Sequence, residues 1–288
     1  MKQIKNGWFS VSEIESGVFL IKETSHVQSY LVTGSRKAAL IDTGMGFCPM
    51  KPVIVSLTNL PVMVLNTHWH FDHIGGNPEF DTVGISEIDA DLAIKPITNE
   101  QLTAAYLQSC LDQQIPLPQG FVPEQYKIQS PAPRFHISHG DLFDLGGRTL
   151  EAIATPGHTR GSLSFLDSRT GALFCGDLLY DGTLYAHFID SDLDAYMDSL
   201  ERTLSRAGNI SHFYGGHNEP LLDRSFAGRV LQVMVQIRQN ALKGYTMDDW
   251  GTPVDFFSSD GIDILVKQEG SAGVHLFDPQ PRNPSCRQ

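Results

Sequence analysis

Short apolar runs separated by glycine and polar turns fill the first ninety residues and return after Asp141, the pattern of buried and half-buried strands. Residues 18–21 (VFLI), 29–33 (SYLVT) and 38–42 (AALID) read as three successive strands, and 62–66 (VMVLN) as a buried fourth. A short helix over 49–59, opened by Pro49, leads into that fourth run. TVGIS (82–86) predicts another strand and residues 87–94 a helix. From Asp141 the strand pattern resumes as DLFDL (141–145), RTLEAIATP (148–156), SLSFLD (162–167), ALFCGD (172–177) and HFYGGH (212–217), with hairpin turns at Gly146-Gly147 and Thr170-Gly171. Helical spacing governs 192–207, where Leu193, Tyr196, Met197, Leu200 and Leu204 share a face and Ser191 is the expected cap. It also governs 222–243, with Leu231, Val235 and Ile237 among the apolar positions.

Between the two strand-rich parts the chain changes character. Residues 96–135 carry six prolines (Pro96, Pro116, Pro118, Pro123, Pro131 and Pro133) around a helix-compatible stretch, Asn99 to Asp112. The segment reads as a lid or pocket wall inserted into a single domain over 1–278, and equally as a plain surface excursion. Residues 279–288, rich in proline, are expected to be a disordered tail. No domain boundary and no short-period repeat interrupts the pattern.

Composition narrows the classes. With 41% hydrophobic and 19% charged residues, the chain has the make-up of a globular enzyme. Its formal charge of −12 argues against nonspecific nucleic acid binding and against an anionic membrane surface. The amino terminus, MKQIKNGWFS, lacks a long apolar core, so neither a secretory signal nor a membrane span is expected. Cys48, Cys110, Cys175 and Cys286 form no close pair and no C-x-x-C, which fits a reducing compartment, with cytoplasmic as the expected location. Cys175 reads as a small buried apolar residue. The sequence leaves the oligomeric state open.

The chemistry concentrates in residues 67–76, THWHFDHIGG. Between positions 68 and 73 stand four metal-capable side chains: His68, His70, Asp72 and His73. They follow a buried strand, at the carboxyl end where α/β folds build sites. His68 and His70, two apart, point the same way from an extended segment, and Asp72 and His73 approach from another side once the chain turns. Gly75 and Gly76 suit a backbone that leaves a strand and opens a helix. Four ligand-type residues from one loop exceed what one four-coordinate ion needs beside a water and a distant ligand, and so suggest two metals.

H-x-H-x-D-H after an apolar strand resembles the metallo-β-lactamase superfamily of hydrolases. The other motifs of that family follow in order: Asp42 in LIDTG, His158 in TPGHTRGS, Asp177 in LFCGD and His217 in YGGH. The resemblance covers roughly residues 15–245. It implies an α+β, four-layer αββα sandwich with two mixed sheets face to face and a loop-built site at one edge. It implies one metal on His68, His70 and His158, a second on Asp72, His73 and His217, and Asp177 bridging them. Two Zn2+ are expected, with iron or manganese as alternatives. Asp42 would brace a ligating histidine rather than bind metal, although a turn or helix-cap aspartate is an equal reading of its position. The implied reaction is hydrolysis by a metal-bridging hydroxide, with Asp72 orienting it and no serine or cysteine nucleophile; Ser162 is read as structural.

Among branches of the family, aspartate at position 177 disfavours β-lactam hydrolysis, where cysteine or serine is expected, and histidine at 70 disfavours the di-iron reductases. GDLLYDGTLY (176–185), HFDHIGGNPEFD and PGHTRGS are most similar to the acyl-CoA thioesterase and glyoxalase II-like branch. That similarity implies a thioester substrate, acyl-CoA among them, with Leu178, Leu179, Leu184, Tyr185 and Phe188 either lining an acyl pocket or serving as ordinary core. Tyr180, three after Asp177, stands where lactonases of the fold carry a substrate-polarising tyrosine. Arg160 either meets an acidic substrate group or is a plain surface arginine. A lactonase is therefore the nearest alternative, and a non-catalytic metabolite-binding sensor on a hydrolase scaffold is the alternative of another class. No basic cluster near 238–268 offers to hold glutathione. His26, His136, His139, His187, His212 and His275 fall outside the motifs, with His26 and His187 the two that could reach a pocket.

Overall fold

A computed structural model describes residues 4–276 except 6, 25–26, 97–109, 111–113, 116, 127, 207 and 250. Eight strands form the first sheet, in chain order: β1 (Ile4–Lys5), β2 (Phe9–Glu15), β3 (Val18–Glu23), β4 (Gln28–Thr33), β5 (Ala38–Ile41), β6 (Val62–Leu65), β7 (Val83–Ser86) and β8 (Phe135–Ile137). Neighbours are antiparallel up to β5 and parallel from β5 to β8. A second sheet contains β9 (Leu142–Asp144), β10 (Thr149–Ala154), β11 (Leu163–Asp167), β12 (Ala172–Gly176), β14 (His212–Gly215) and β15 (Leu221–Leu222). It too is mixed, because β12 and β14 run parallel.

The two sheets share one core. Val18, Leu20, Tyr30, Val32 and Ile41 from the first interlock with Leu150, Ala152, Leu163, Phe165 and Phe174 from the second, all buried. The helix Lys51–Leu57 covers the outer face of the first sheet through Val53 and Ile54. Helices Leu193–Ser205 and Arg224–Arg238 cover the second. The fold is thus the expected αββα sandwich, formed because each sheet has an apolar side to bury on either face.

A third sheet was not foreseen. β13 (Thr183–Ala186) pairs with β18 (Ile262–Lys267), which pairs with β17 (Thr252–Ser259) and then β16 (Tyr245–Asp249). Its hairpin turn, Asp260-Gly261, has both residues at positive φ (53° and 74°). Asp-Gly between alternating apolar residues is a strong hairpin signal, and it is the cue that could have located these strands. β1 and β2 at the amino terminus were also missed.

Element ends moved where a better cap or a close approach decided them. The first helix starts at Lys51, with Pro52 rather than Pro49 in its first turn. Asp192, not Ser191, caps Leu193–Ser205 by accepting from Ala195 N, and Ser191 Oγ donates instead to the His158 carbonyl at 2.6 Å. Asp223 caps a last helix shorter than expected, which buries Ala227, Val230, Val233, Met234 and Ile237; Leu231 and Val235 are only partly buried. The helix after the ligand strand is a single turn, Phe71–Ile74, which precedes Gly75 and Gly76. Those glycines serve close packing: a Cβ on Gly75 would lie 2.2 Å from the Met45 backbone, and one on Gly76 2.6 Å from the Thr43 carbonyl.

The helix expected over Asn99–Asp112, Cys110 apart, and the tail expected over 279–288 lie outside the described residues. Of the proline-rich segment that is described, Phe121 and Tyr126 pack on Phe47 (ring centroids 4.8 and 4.7 Å) beneath the first sheet. Among the described residues, no helix is long and apolar enough to cross a membrane.

A buried arginine, ion-paired within the second sheet, reaches across to the first at the end of the sandwich. Arg148 donates from Nε and Nη2 to both oxygens of Asp167 (3.0 and 2.9 Å) and from Nη1 to the Gly17 carbonyl (3.1 Å). Removing one partner leaves an unpaired charge in the interior. Arg148→Ala is therefore expected to cost about 3–5 kcal/mol, read as a lowered urea midpoint with an unchanged slope.

Candidate metal-dependent hydrolase site

The strand β6 ends at Leu65, and the next eight residues carry the ligand-type side chains into the edge between the sheets. Three groups of nitrogen and oxygen atoms form there, each with its atoms within 4.8 Å of one another: His68, His70 and His158; His68, His73 and Asp177; Asp72, His73 and His217. All seven sequence-predicted ligand residues are brought together, from four separate loops. His68, His70, His73, His158 and Asp177 are buried, while Asp72 and His217 are partly exposed toward the cavity.

Hydrogen bonds on the far side of the rings set which nitrogen faces inward. Asp42 accepts from Thr67 N and Thr67 Oγ1 (both 2.8 Å) and from His73 Nδ1 (2.8 Å). Because the Thr67 hydroxyl proton goes to Asp42, His68 Nδ1 donates to Thr67 Oγ1 at 3.0 Å. His158 Nδ1 donates to the Tyr185 carbonyl at 2.8 Å. In each case the Nε2 lone pair is left for the centre of the site, the arrangement that orients metal-binding imidazoles. Asp42 sits at positive φ (59°), immediately after β5, and braces His73 from outside the ligand cluster.

Asp177 occupies the middle. Its Oδ1 lies 3.2 Å from His73 Nε2 and 3.3 Å from His217 Nε2, and its Oδ2 lies 3.5 Å from His158 Nε2. Asp72 Oδ2 is 3.5 Å from His217 Nε2 and 3.7 Å from His73 Nε2. Gly216 lets the backbone pass here, since a Cβ would fall 2.5 Å from Asp177 Oδ1 and 2.9 Å from His73 Cε1.

The charges divide the histidines into two kinds. Burial first, and then the neighbouring imidazoles, hold His68 well below the ordinary histidine value; burial and His158 do the same for His70. Burial also lowers His158. For His73, burial opposes protonation but Asp177, Asp72 and Asp42 outweigh it and raise the ring well above its usual value. His217 is raised in the same way, burial being outweighed by Asp177 and Asp72. Burial would raise the Asp177 carboxyl, but His217 and His73 reverse this and hold it well below the carboxylate range.

The donor set fits a metal. His68 Nε2 is buried without a hydrogen-bond partner among the described residues, a costly condition that a cation relieves, and it faces the nitrogen and oxygen atoms of His70, His73, His158 and Asp177.

A cavity of about 270 Å3 opens on these groups. His70, Asp72, His158, Asp177 and His217 form its floor, and Phe71, Tyr180, Tyr185, Phe188 and Leu276 its apolar wall. Among the described residues, no lysine or arginine lines it. Leu178, Leu179 and Leu184, the leucines considered for an acyl pocket, belong instead to the core beneath the two long helices. Leu276, from the segment after the third sheet, was missed by sequence reasoning.

Tyr180 lines the cavity and packs edge-on to His217, but its hydroxyl donates to the Thr183 carbonyl at 2.5 Å. Tyr185 lines it too; burial, followed by Asp249, pushes its phenol up to about 12, so it stays a protonated donor at neutral pH. Ser162 bonds Thr159 and takes no place in the site. His187 is buried behind Phe188 and bonded to Asp249 (2.7 Å), and does not line the cavity; His26 lies outside the described residues. His136, His139 and His275 are exposed and His212 bonds Glu15, all away from the cavity lining, as is Arg160.

Asp89 is a second residue the sequence did not single out. It is fully buried on the helix Glu87–Ala93, and its Oδ2 accepts from Trp69 N at 3.2 Å and from Thr159 Oγ1 at 2.9 Å. Burial pushes its carboxyl up to about 7, against the Thr159 hydrogen bond and with help from Asp190.

The profile of the metallo-β-lactamase superfamily matches residues 24–207, well over half of the chain. This chain belongs to that superfamily. Acyl-coenzyme A thioesterase MBLAC2 of Homo sapiens is 29% identical over 229 residues, covering 73% of this chain and 81% of the relative. Lactamase-like protein nscB of Trichophyton rubrum is 30% identical over 213 residues, covering 70% of this chain and 55% of that protein. Among solved structures, a metallo-β-lactamase from Pontibacter korlensis superposes with a TM-score of 0.59 at 22% identity, covering 79% of this chain and 99% of that one. A metallo-β-lactamase family protein from Thermus thermophilus gives 0.57 at 23%, covering 80% and 82%. These structural likenesses concern the fold.

Proposed function

We propose that this superfamily member is a dinuclear metal-dependent hydrolase acting on thioesters, acyl-CoA among them. The observation that carries the reading is the position of Asp177, whose two oxygens face His158 on one side and His73 and His217 on the other. His68, His70 and His158 would hold one ion, and Asp72, His73 and His217 the other, with Asp177 shared. Bound there, two Zn2+ ions would supply Lewis acidity and a hydroxide nucleophile at neutral pH, and iron or manganese would suit the same donors.

The protein's own groups do the rest. The aromatic wall of Phe71, Tyr185 and Phe188 would hold the acyl chain and exclude water beside the reacting carbonyl. Asp72, at the cavity edge and within 3.5 Å of His217, would orient the attacking water and take up its proton. The leaving group separates a thioester from a lactone. A thiol has a pKa of about 8.5 and departs as thiolate without a proton donor, whereas a ring-opened alkoxide needs one. In a lactonase Tyr180 would polarise the substrate carbonyl, but its hydroxyl already donates to the Thr183 carbonyl. The MBLAC2 likeness, to a protein named as an acyl-coenzyme A thioesterase, supports the same choice.

The test is thiol release from a ladder of acyl-CoA esters by zinc-loaded protein, run beside a lactone series. Metal-dependent thiol release is the expected result; turnover of lactones alone would install the lactonase reading, and a metal-loaded protein inert to every ester would install the sensor. Two tyrosine variants refine it. Tyr180→Phe is expected to change kcat/KM less than about threefold. Tyr185→Phe, which removes a phenol donor from the cavity wall, is expected to lower it about tenfold, in line with one lost hydrogen bond to a developing charge.

A further inference from the structure

The three histidines of the buried trio come from two loops that are joined directly through the backbone at their edge, where Leu163 N donates to the Thr67 carbonyl at 2.8 Å, and not beside Trp69 or His158. His68 and His70 stand on the loop after β6, and His158 on the turn between β10 and β11. Their nitrogens nevertheless meet closely, with His70 Nδ1 2.8 Å from His158 Nε2. The Leu163–Thr67 bond fixes the loops at Thr67, and the stretch from His68 to His70 needs a further hold on His158.

Asp89 spans them. Trp69 lies between the two histidines of the first loop, and its backbone N–H donates to Asp89 Oδ2. Thr159 directly follows His158 in the second, and its hydroxyl donates to the same oxygen. Gly161, two residues on, closes over the other oxygen so tightly that a Cβ would stand 2.2 Å from Oδ1 and 2.5 Å from Cγ. A second set of contacts repeats the link: Trp69 Nε1 donates to Asp190 Oδ2 at 2.9 Å, and the adjacent Ser191 Oγ donates to the His158 carbonyl at 2.6 Å. Trp69 is only 1% exposed and Asp89 0%, so neither bond competes with water.

We infer that Asp89 is a positioning residue for the His68–His70–His158 ligand set, one buried carboxylate oxygen that accepts from both ligand loops and helps hold them at metal-binding distance. The inference rests on reading those histidines as ligands. It assigns Asp89 no contact with substrate. It also explains why position 161 has no room for a side chain, since any Cβ there displaces the carboxylate.

The test uses cobalt, whose visible absorption reports coordination geometry, and titrates metal into the metal-free full chain. Wild-type protein is expected to give an intense band from the trio. Asp89→Ala should weaken cobalt affinity at that position by about 10- to 100-fold, the range for lost partners of metal ligands, and alter the band. The second metal position should keep its affinity. Asp89→Asn keeps one acceptor oxygen for Trp69 N–H and the Thr159 hydroxyl but turns an amide NH2 toward Gly161, so it should recover part of the wild-type affinity and band; Asp89→Leu fills the same space without an acceptor and should recover neither. Gly161→Ala, with Asp89 intact, should reproduce the spectral change, and it decides the matter if the Asp89 variants do not fold. Equal behaviour of Leu and Asn, or equal weakening at both metal positions, would overturn the positioning role and leave the proposed function standing. Failure of wild-type protein to bind cobalt would instead overturn the ligand reading, and this inference with it.

Discussion

Asp177→Ala is expected to lose at least about 1,000-fold in turnover while the protein stays folded, the scale of removing a group that organises charge at a reacting centre. The variant takes away a carboxylate that faces three imidazole nitrogens at 3.2–3.5 Å. With it goes the group shared between the two ligand sets, so metal content should fall from two ions per chain toward one. The fold should survive, because the αββα core of Leu150, Phe165, Phe174 and their partners does not include this side chain. Circular dichroism, metal analysis and turnover on one preparation separate the effects. Full activity of a well-folded Asp177→Ala protein would sink the proposed mechanism.

Acidification is expected to strip the two positions in a fixed order. His68, His70 and His158 are held below the usual histidine value, so they stay neutral and ready to bind to lower pH than an ordinary histidine. His73 and His217 are raised, so near and above pH 6.5 they still carry protons in the metal-free protein and must release them to become ligands. Each proton displaced lowers apparent metal affinity about tenfold per pH unit below the group's pKa. The Asp72–His73–His217 ion should therefore leave before the trio ion as pH falls below neutral. Dialysis at stepped pH followed by metal analysis should show a plateau near one ion per chain. Simultaneous loss of both ions would contradict the assignment of charge to the second set.

The same shifts fix the sign for the metal-free protein. The trio has folded-state values below the unfolded value of about 6.5, so its unfolded form takes up protons first and stability falls as pH drops below that point. His73 and His217 act oppositely, contributing stability that is present below about 6.5 and lost as pH rises through their raised values.

How much of this was legible beforehand depended on the range of the physics involved. The strands and the four donors of one loop could be read from the chain itself, because strand periodicity is local and six consecutive positions from His68 to His73 concentrate four donors; His158, Asp177, His217 and the layered architecture came from the family resemblance. The third sheet escaped because its outer strand, Tyr245–Asp249, is mostly exposed and carries little apolar pattern, although its Asp260-Gly261 turn was a usable sign. The leucines at 178, 179 and 184 went the other way: apolar residues near a ligand look alike in sequence whether they face a cavity or a core, and packing sent them to the core.

What only the tertiary structure decided is which groups meet across large separations in the chain. Tyr180 has the right spacing from Asp177 for a role at the reacting centre, yet its hydroxyl is spent on Thr183. Leu276 reaches the cavity from the far end of the described chain. Asp89 looks like any helix-surface aspartate in sequence, and becomes a buried link between residues 69 and 159 only after both loops have folded against its helix. The four donors of the 68–73 loop are donor chemistry at short spacing, which a sequence carries directly. The holding of those ligands at bonding distance is a property of contacts between remote segments, which exist only once the core has packed.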